Sequence, residues 1–382
     1  MPGIRAVRSR RGPEASLKCR LSTVNDFARI NALERRYNLG FRNFEEWSHM
    51  WMSNPVCRKA PELPIGWVLE DNKNQIVGSI GSVPFAFELN GRQLVAGTSS
   101  AWVTDVAYRA YAPMLLDRFL SQPGVDLHLG ISPNGEAQPA VALQSERVPA
   151  GQWDRAAFWI TNARGFVDSA LAKKKIRFPA LVRYPVWTAI TLQQVFKRDA
   201  LGAALRKAGD HEVTTCTAFD DRFDEFWETL RAKNRERLLF NRSREVLEWH
   251  FKYPLARNVA WIATVCDGPR LAAYAVFCRK DVAHIGLRRV RLIDYQSVDG
   301  DTTLLMPLLA NTLKRCERDG TAVLESIGWR LGRGEIMDTL APYTRTLPSW
   351  QYFYKTSDPA LAHVLKAPNV WNPSQYDGDA CV

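Results

Sequence analysis

Apolar residues fall at helical spacing from Phe27 through Ile30, Leu33 and Tyr37, with Thr23 placed to cap the helix this predicts. A tryptophan-rich helix is expected over 44–52, ended by Asn54-Pro55. The pattern then changes to that of strands, at 66–70 and 76–87, split by the turn Asp71-Asn72-Lys73-Asn74. Asn90-Gly91 reads as a two-residue hairpin turn leading to another strand pair. Residues 99–106 form a strand running straight into a helix at 113–120, and a strand at 125–132 precedes a helix through 137–143. From 164 to 210 the prolines at 179 and 185 interrupt apolar pieces, and 192–207 fits one basic amphipathic helix. That stretch reads as an ordered connector.

The second half repeats the order. Helices are expected at 219–230 and 243–251, the latter ended by Pro254, then strands at 259–266 and 270–279 around Asp267-Gly268-Pro269. A strand at 290–298, a helix at 304–319 and a strand at 322–327 follow. One plan of about 150 residues is thus used twice. The closing segment, 350–379, is rich in aromatics and is expected to pack.

With 46% hydrophobic and 24% charged residues over 382 positions, the chain is neither collagenous, mucin-like nor wholly disordered. No apolar run approaches the ~20 residues of a membrane-spanning helix, so no membrane span is expected. The first 20 residues are basic without an apolar stretch behind them, which reads as a tail and not as a secretory leader. The net charge of +11 serves either solubility or an anionic partner: nucleic acid, phospholipid, or a phosphorylated cofactor or substrate. The cluster Arg288-Arg289-Val290-Arg291 alternates like an exposed strand face. Seven cysteines without a C-x-x-C and six scattered histidines predict no metal site and no disulfide framework. Free thiols fit a cytoplasmic location.

The stretch from Trp102 to Leu116 is the most informative. Strand, short loop and helix start follow one another with Arg109 at the loop entrance, a junction suited to phosphate. Here Thr104-Asp105-Val106-Ala107-Tyr108-Arg109 resembles the GNAT superfamily of acyl-CoA-dependent N-acyltransferases, with Ala112 and Met114 where that family has glycine and glycine or alanine. Pro113 departs from the pattern and removes one N–H donor. Ile131-Ser132-Pro133-Asn134 with Ala137 resembles the family's next strand and the asparagine-headed helix beside the pantetheine.

The resemblance implies an α+β fold of two GNAT-like modules, each a mixed central sheet flanked by helices. Residues 1–20 would be the tail, 21–165 the acyl-CoA-binding module, 166–210 the connector, and 211–382 a second, degenerate module. It implies acetyl-CoA or another acyl-CoA as co-substrate, bound by Val103, Thr104, Arg109, Ala110, Tyr111, Ala112, Met114 and Asn134. The acceptor would be a small-molecule amine or sugar, such as a cell-envelope intermediate. Two rivals keep the fold: a Fem-type transferase using aminoacyl-tRNA, under which alone nucleic acid is a partner, and a non-enzymatic binding module.

The acid and base are less evident. Val141 stands where many relatives carry a tyrosine, and Asp105 reads as a turn residue. Asp294 is expected to share a strand face with Val290 and Leu292. A carboxylate among apolar neighbours suits a general base, or else is a hydrogen-bonded structural group. Asp299 and Asp301 would repel pyrophosphate, so the second module is expected to bind no CoA of its own. Trp47, Trp51, Trp249 and Trp261 read as core and interface residues before they read as stacking platforms for sugars or bases.

Overall fold

Two mixed sheets organise the chain in a computed structural model that describes residues 17–39, 42–131, 138–149, 151, 153–176, 183–191, 211–328, 337, 340–347 and 350–377. The first sheet runs β1 (Lys18–Leu21), β2 (Gly66–Glu70), β3 (Ile76–Leu89), β4 (Arg92–Thr104) and β5 (Leu127–Ile131), then β15 (Tyr352–Lys355) and β6 (Glu146–Arg147). A short β9 (Leu239–Phe240) pairs with β3 off this path. The second runs β14 (Tyr343–Thr346), β7 (Arg155–Ile160), β13 (Val323–Ile327), β12 (Arg289–Ser297), β11 (Arg270–Arg279), β10 (Ala260–Asp267) and β8 (Val213–Cys216). Each sheet holds a parallel pair at the matching place, β4 with β5 and β12 with β13. The two halves also exchange strands: β7 from the first half lies inside the second sheet, and β15 from the C-terminal segment lies inside the first.

Helix α1 (Phe27–Arg36), α2 (Phe44–Met52) and α3 (Pro55–Lys59) cover one face of the first sheet, and α4 (Ala112–Leu120) covers the other. Next come α5 (Gln138–Gln144), α6 (Ala163–Lys173) and α7 (183–191). The second half adds α8 (Arg222–Lys233), α9 (Arg244–Ala256), α10 (Leu305–Arg318) and α11 (Pro359–Leu365). The expected basic helix at 192–207 lies outside the described residues.

Local chemistry explains most boundaries. Asn90 and Gly91 both take positive φ, 53° and 78°, as the tight turn between β3 and β4 requires. Beyond that turn the chain forms one long strand, not the expected strand pair. Asn54 is fully buried and caps α3, its Oδ1 accepting from the Val56 N–H at 2.8 Å, so Pro55 opens a helix as well as closing the preceding segment. Pro254 does not end its helix: α9 continues to Ala256, because a proline so near the C-terminus sacrifices little of the helical ladder.

One apolar core crosses both halves. Phe240 stacks on Phe87 at 4.9 Å and on Tyr376 at 4.4 Å between centroids, joining β9, β3 and the C-terminal segment. At the seam His49 and Trp249 bond reciprocally. Trp249 Nε1 donates to the His49 carbonyl at 3.1 Å, and His49 Nε2 donates to the Trp249 carbonyl at 2.9 Å. Trp47, Trp51, Trp249 and Trp261 are all buried. The arginines expected on an exposed strand face are not free there: Arg289 and Arg291 are half-buried and pair with Glu325, which is 1% exposed.

Candidate active site

The first sheet forks where β4 meets β5. These strands pair only over Ala96–Thr98 and Leu127–Leu129, after which β4 runs on to Thr104 while β5 continues along β15. Beyond Thr98 the β5-facing edge of β4 has no strand partner among the described residues. Next to the fork β4 bulges. Ser79 pairs with Val103 and Gly81 with Ser100, so Ile80 opposes both Ala101 and Trp102. Ala101 takes φ of 51°, a left-handed conformation that a non-glycine residue holds only where its surroundings fix it. A bulge leaves backbone groups out of the ladder and re-aims the strand beside an open wedge.

The chain leaves this wedge through Asp105. Its Oδ1 accepts from Tyr37 Oη at 2.9 Å, and Arg36 lies 3.3 Å from its carboxylate, so it anchors the turn to α1. The Tyr37 oxygen also accepts from the Val106 N–H at 3.1 Å. The expected short loop is a 3-10 turn, Val106–Tyr111, leading into α4. That changes the expected phosphate cradle. The N–H of Tyr108 bonds the Asp105 carbonyl and that of Ala112 bonds Arg109, while Pro113 has none, so fewer donors face outward than a glycine-rich loop would offer.

Of the residues read as cofactor contacts, Val103 and Thr104 are buried at the end of β4, and the Thr104 hydroxyl has no hydrogen-bond partner. Arg109, Ala110, Tyr111, Ala112 and Met114 come together on the adjoining turn, all but Ala112 exposed. Tyr111, Met114 and neighbouring Val106 leave an unusual apolar surface there, 40%, 41% and 62% exposed. Asn134 lies outside the described residues.

On the face covered by α1 and α2, a carboxylate meets the bulge. Glu34 is 7% exposed and lines a narrow cavity of about 20 Å³ with Ser100, Ala101, Ser79 and Arg42, the room of a single water. Burial raises its pKa, and the nearby Arg42 charge partly offsets that rise. Glu34 was not among the site residues expected from the sequence, although a signal was present. Glu34 lies seven residues after Phe27 and four after Ile30, so a charged residue occupies the apolar stripe of α1.

Asp294 belongs to another place. The second sheet forks in the same way, β12 pairing β13 only over Arg289–Leu292 and Val323–Ser326. It bulges too: Val276 pairs with Asp294 but Phe277 with Leu292, leaving Ile293 as the extra residue. The bulge breaks the alternation from which a shared face with Val290 and Leu292 was expected. Those two face α10, whereas Asp294 turns into the core common to both halves. It is 1% exposed there, accepting from Arg242 Nε at 2.8 Å and Nη2 at 3.1 Å, Gln296 Nε2 at 3.0 Å and Tyr274 Oη at 3.2 Å. Arg242 also pairs with Asp377 at 2.6 Å.

The C-terminal segment closes this second fork. Gln375, 1% exposed, donates from Nε2 to the carbonyls of Leu292 at 3.2 Å and Ile327 at 3.4 Å, one on each diverging strand. Asp299 pairs with Lys233, and Asp301 accepts from the Thr303 N–H and hydroxyl at 2.7 and 2.6 Å. Among the described residues no cluster of histidine, cysteine or carboxylate side chains is suited to a metal ion, and no helix is long and apolar enough to cross a membrane.

No protein-family model and no curated protein matches this sequence. Solved structures do. The chain is similar to a GCN5-related N-acetyltransferase from Kribbella flavida, with a TM-score of 0.52 and 12% identity over 90% of this chain and 71% of that one. One from Anabaena variabilis gives 0.51 and 8% over 90% and 73%. Saccharomyces cerevisiae N-myristoyltransferase, with bound myristoyl-CoA and inhibitors, gives 0.52 and 11% over 96% and 84%. At these identities the likeness is one of fold, and the two-module α+β fold of this chain is the GNAT fold shared by those proteins.

Proposed function

We propose that the protein is an N-acyltransferase that moves an acyl group from acyl-CoA to an amine. The observation that carries this reading is the open, bulged fork of β4 and β5, which leads directly to the Arg109 turn. The pantetheine would lie in the wedge against Val103 and Thr104. The pyrophosphate would meet Arg109 and the turn from Ala110 and Tyr111 through Ala112 to Met114. The exposed apolar side chains of that turn suit the rest of the cofactor. The second fork is filled by Gln375 and its neighbours, which supports a single donor site. Acetyl-CoA and longer acyl-CoA are both candidates, since the yeast structure holds myristoyl-CoA. A small amine, such as an amino sugar of a cell-envelope intermediate, is the proposed acceptor, and the cytoplasm the proposed location.

Glu34 is the proposed proton acceptor. The amine nitrogen attacks the thioester carbonyl beside the bulge, forming C–N as C–S breaks. The amine proton passes to the Glu34 carboxylate, and the thiolate leaves to take a proton from solvent. A buried carboxylate with a raised pKa is the better base for this task.

Thermal shift with acetyl-CoA and myristoyl-CoA, paired with a thiol-release assay across amine acceptors, tests the reading. A raised melting temperature and amine-dependent thiol release are expected. Glu34→Gln should keep the thermal shift and lower kcat by about 10²-fold, within the usual yield of general-base catalysis. No response to acyl-CoA, with salt-dependent binding of aminoacyl-tRNA instead, would replace this reading with the Fem-type one.

A further inference from the structure

A second cavity lies at the seam between the halves and meets the first at shared walls, Arg42 and Met50. It measures about 250 Å³ and opens between α2 and α9. Its walls combine rings and cations: His49, Trp249 and Tyr253 with Arg42, Arg257 and Lys280. Most charged groups there are engaged, the Arg42 charge acting on Glu34. The one carboxylate in the lining, Glu46, is held by Arg257. Arg279, also in the lining, is held by Asp281 at 2.7 Å. The Lys280 ammonium has no ion-pair or hydrogen-bond partner among the described residues.

Two histidines of the lining have ring nitrogens without hydrogen-bond partners. His49 spends its Nε2 proton on the Trp249 carbonyl, and its buried Nδ1 has no partner. His250 is 9% exposed, and neither ring nitrogen makes a hydrogen bond. Burial and the nearby Lys280 charge lower its pKa to about 3, so the ring is neutral and adds no further cation. A positive potential in a partly enclosed site, rimmed by aromatic rings, is the environment that an oxyanion relieves.

We infer that this seam cavity binds the anionic group of the acceptor, which is therefore an amine carrying a carboxylate or a phosphate. The inference rests on the acyltransfer reading. An acceptor anchored by its anion at Lys280 would extend past Met50 toward Glu34 and the bulge. Its amine would then stand beside the thioester, and its far end would fix its orientation. The two cavities on either side of Arg42 thus divide recognition from chemistry.

The test uses the full chain saturated with acetyl-CoA, at constant ionic strength set with chloride. Inorganic phosphate is titrated in one arm and acetate in the other, each followed by thermal shift, for the natural chain and for Lys280→Glu. A saturable rise in melting temperature is expected with at least one anion. The arm that responds identifies phosphate or carboxylate as the recognised group. Lys280→Glu should need about tenfold more of that anion, the loss expected for one charge-assisted contact. No saturable rise, or an unchanged requirement in Lys280→Glu, overturns the inference. Faster transfer to ethanolamine than to phosphoethanolamine, together with faster transfer to phenethylamine than to phenylalanine, overturns it as well. If acetyl-CoA itself gives no shift, the acyltransfer reading has failed. The Lys280 dependence in the CoA-free chain then decides whether the anion site exists.

Discussion

His250 and His128 are expected to make the fold less stable in mild acid. Burial, followed by the charge of Lys280, brings His250 to about 3, and burial, followed by Lys355, brings His128 to about 4. In the unfolded chain each takes a proton near pH 6.5. Between those values the unfolded state binds more protons, so stability falls as pH drops from about 6.5 toward 4. Replacing His250 with phenylalanine, which suits a ring already packed on Phe251 and Tyr376, should flatten that decline. Urea midpoints measured across the window check this, and an unchanged slope would contradict it. Asp26 acts in a lower window. Hydrogen bonds from Arg20 hold its carboxyl well below the usual range, so its contribution persists above pH 4 and is lost as pH falls further.

The direction of Asp294 is not encoded in the pattern of its strand. The residue was legible as a carboxylate in an apolar strand, but its direction depended on an extra residue, Ile293, that no local pattern announces. Its partners come from Arg242 and from Asp377 beyond it, both remote in sequence. Asp294→Asn should therefore lower the melting temperature by several degrees, because it leaves Arg242 short of a buried counter-charge. The folded fraction should keep its turnover. A large fall in kcat without a change in melting temperature would instead return Asp294 to the chemistry.

At the scale of elements, amphipathic pattern was a good guide wherever an element buries one face. The stripe of α1, the turn that opens the β3–β4 hairpin and the apolar β10 and β11 follow from period and turn chemistry, whereas the unbroken length of β4 does not. The turn after β4 was less legible. Without glycine the chain from Val106 closes a 3-10 turn that uses several of its own N–H groups. Under the proposed function, phosphate recognition would then lean more on side chains than the GNAT pattern suggests. Arg109→Glu should weaken acyl-CoA binding about tenfold, or ~1.4 kcal/mol for one charge-assisted phosphate contact. Fluorescence titration with a CoA analogue measures this, and unchanged affinity in a folded variant would remove the turn from the site.

At the scale of the whole molecule, the repeated plan was visible in the order of elements, but the exchange of β7 and β15 between sheets was not. Strand pairing across such separations is settled by tertiary packing, and no turn or periodicity encodes it. Under the proposed function the exchange has a consequence. The segment that adds β15 to the first sheet goes on to place Gln375 in the second fork, so one segment borders the open fork and fills its twin. Two similar modules thereby become unequal. Calorimetric titration of acetyl-CoA into the full chain tests that asymmetry most directly. One site per chain, weakened by Arg109→Glu, is the predicted result; two sites, or none, would contradict it.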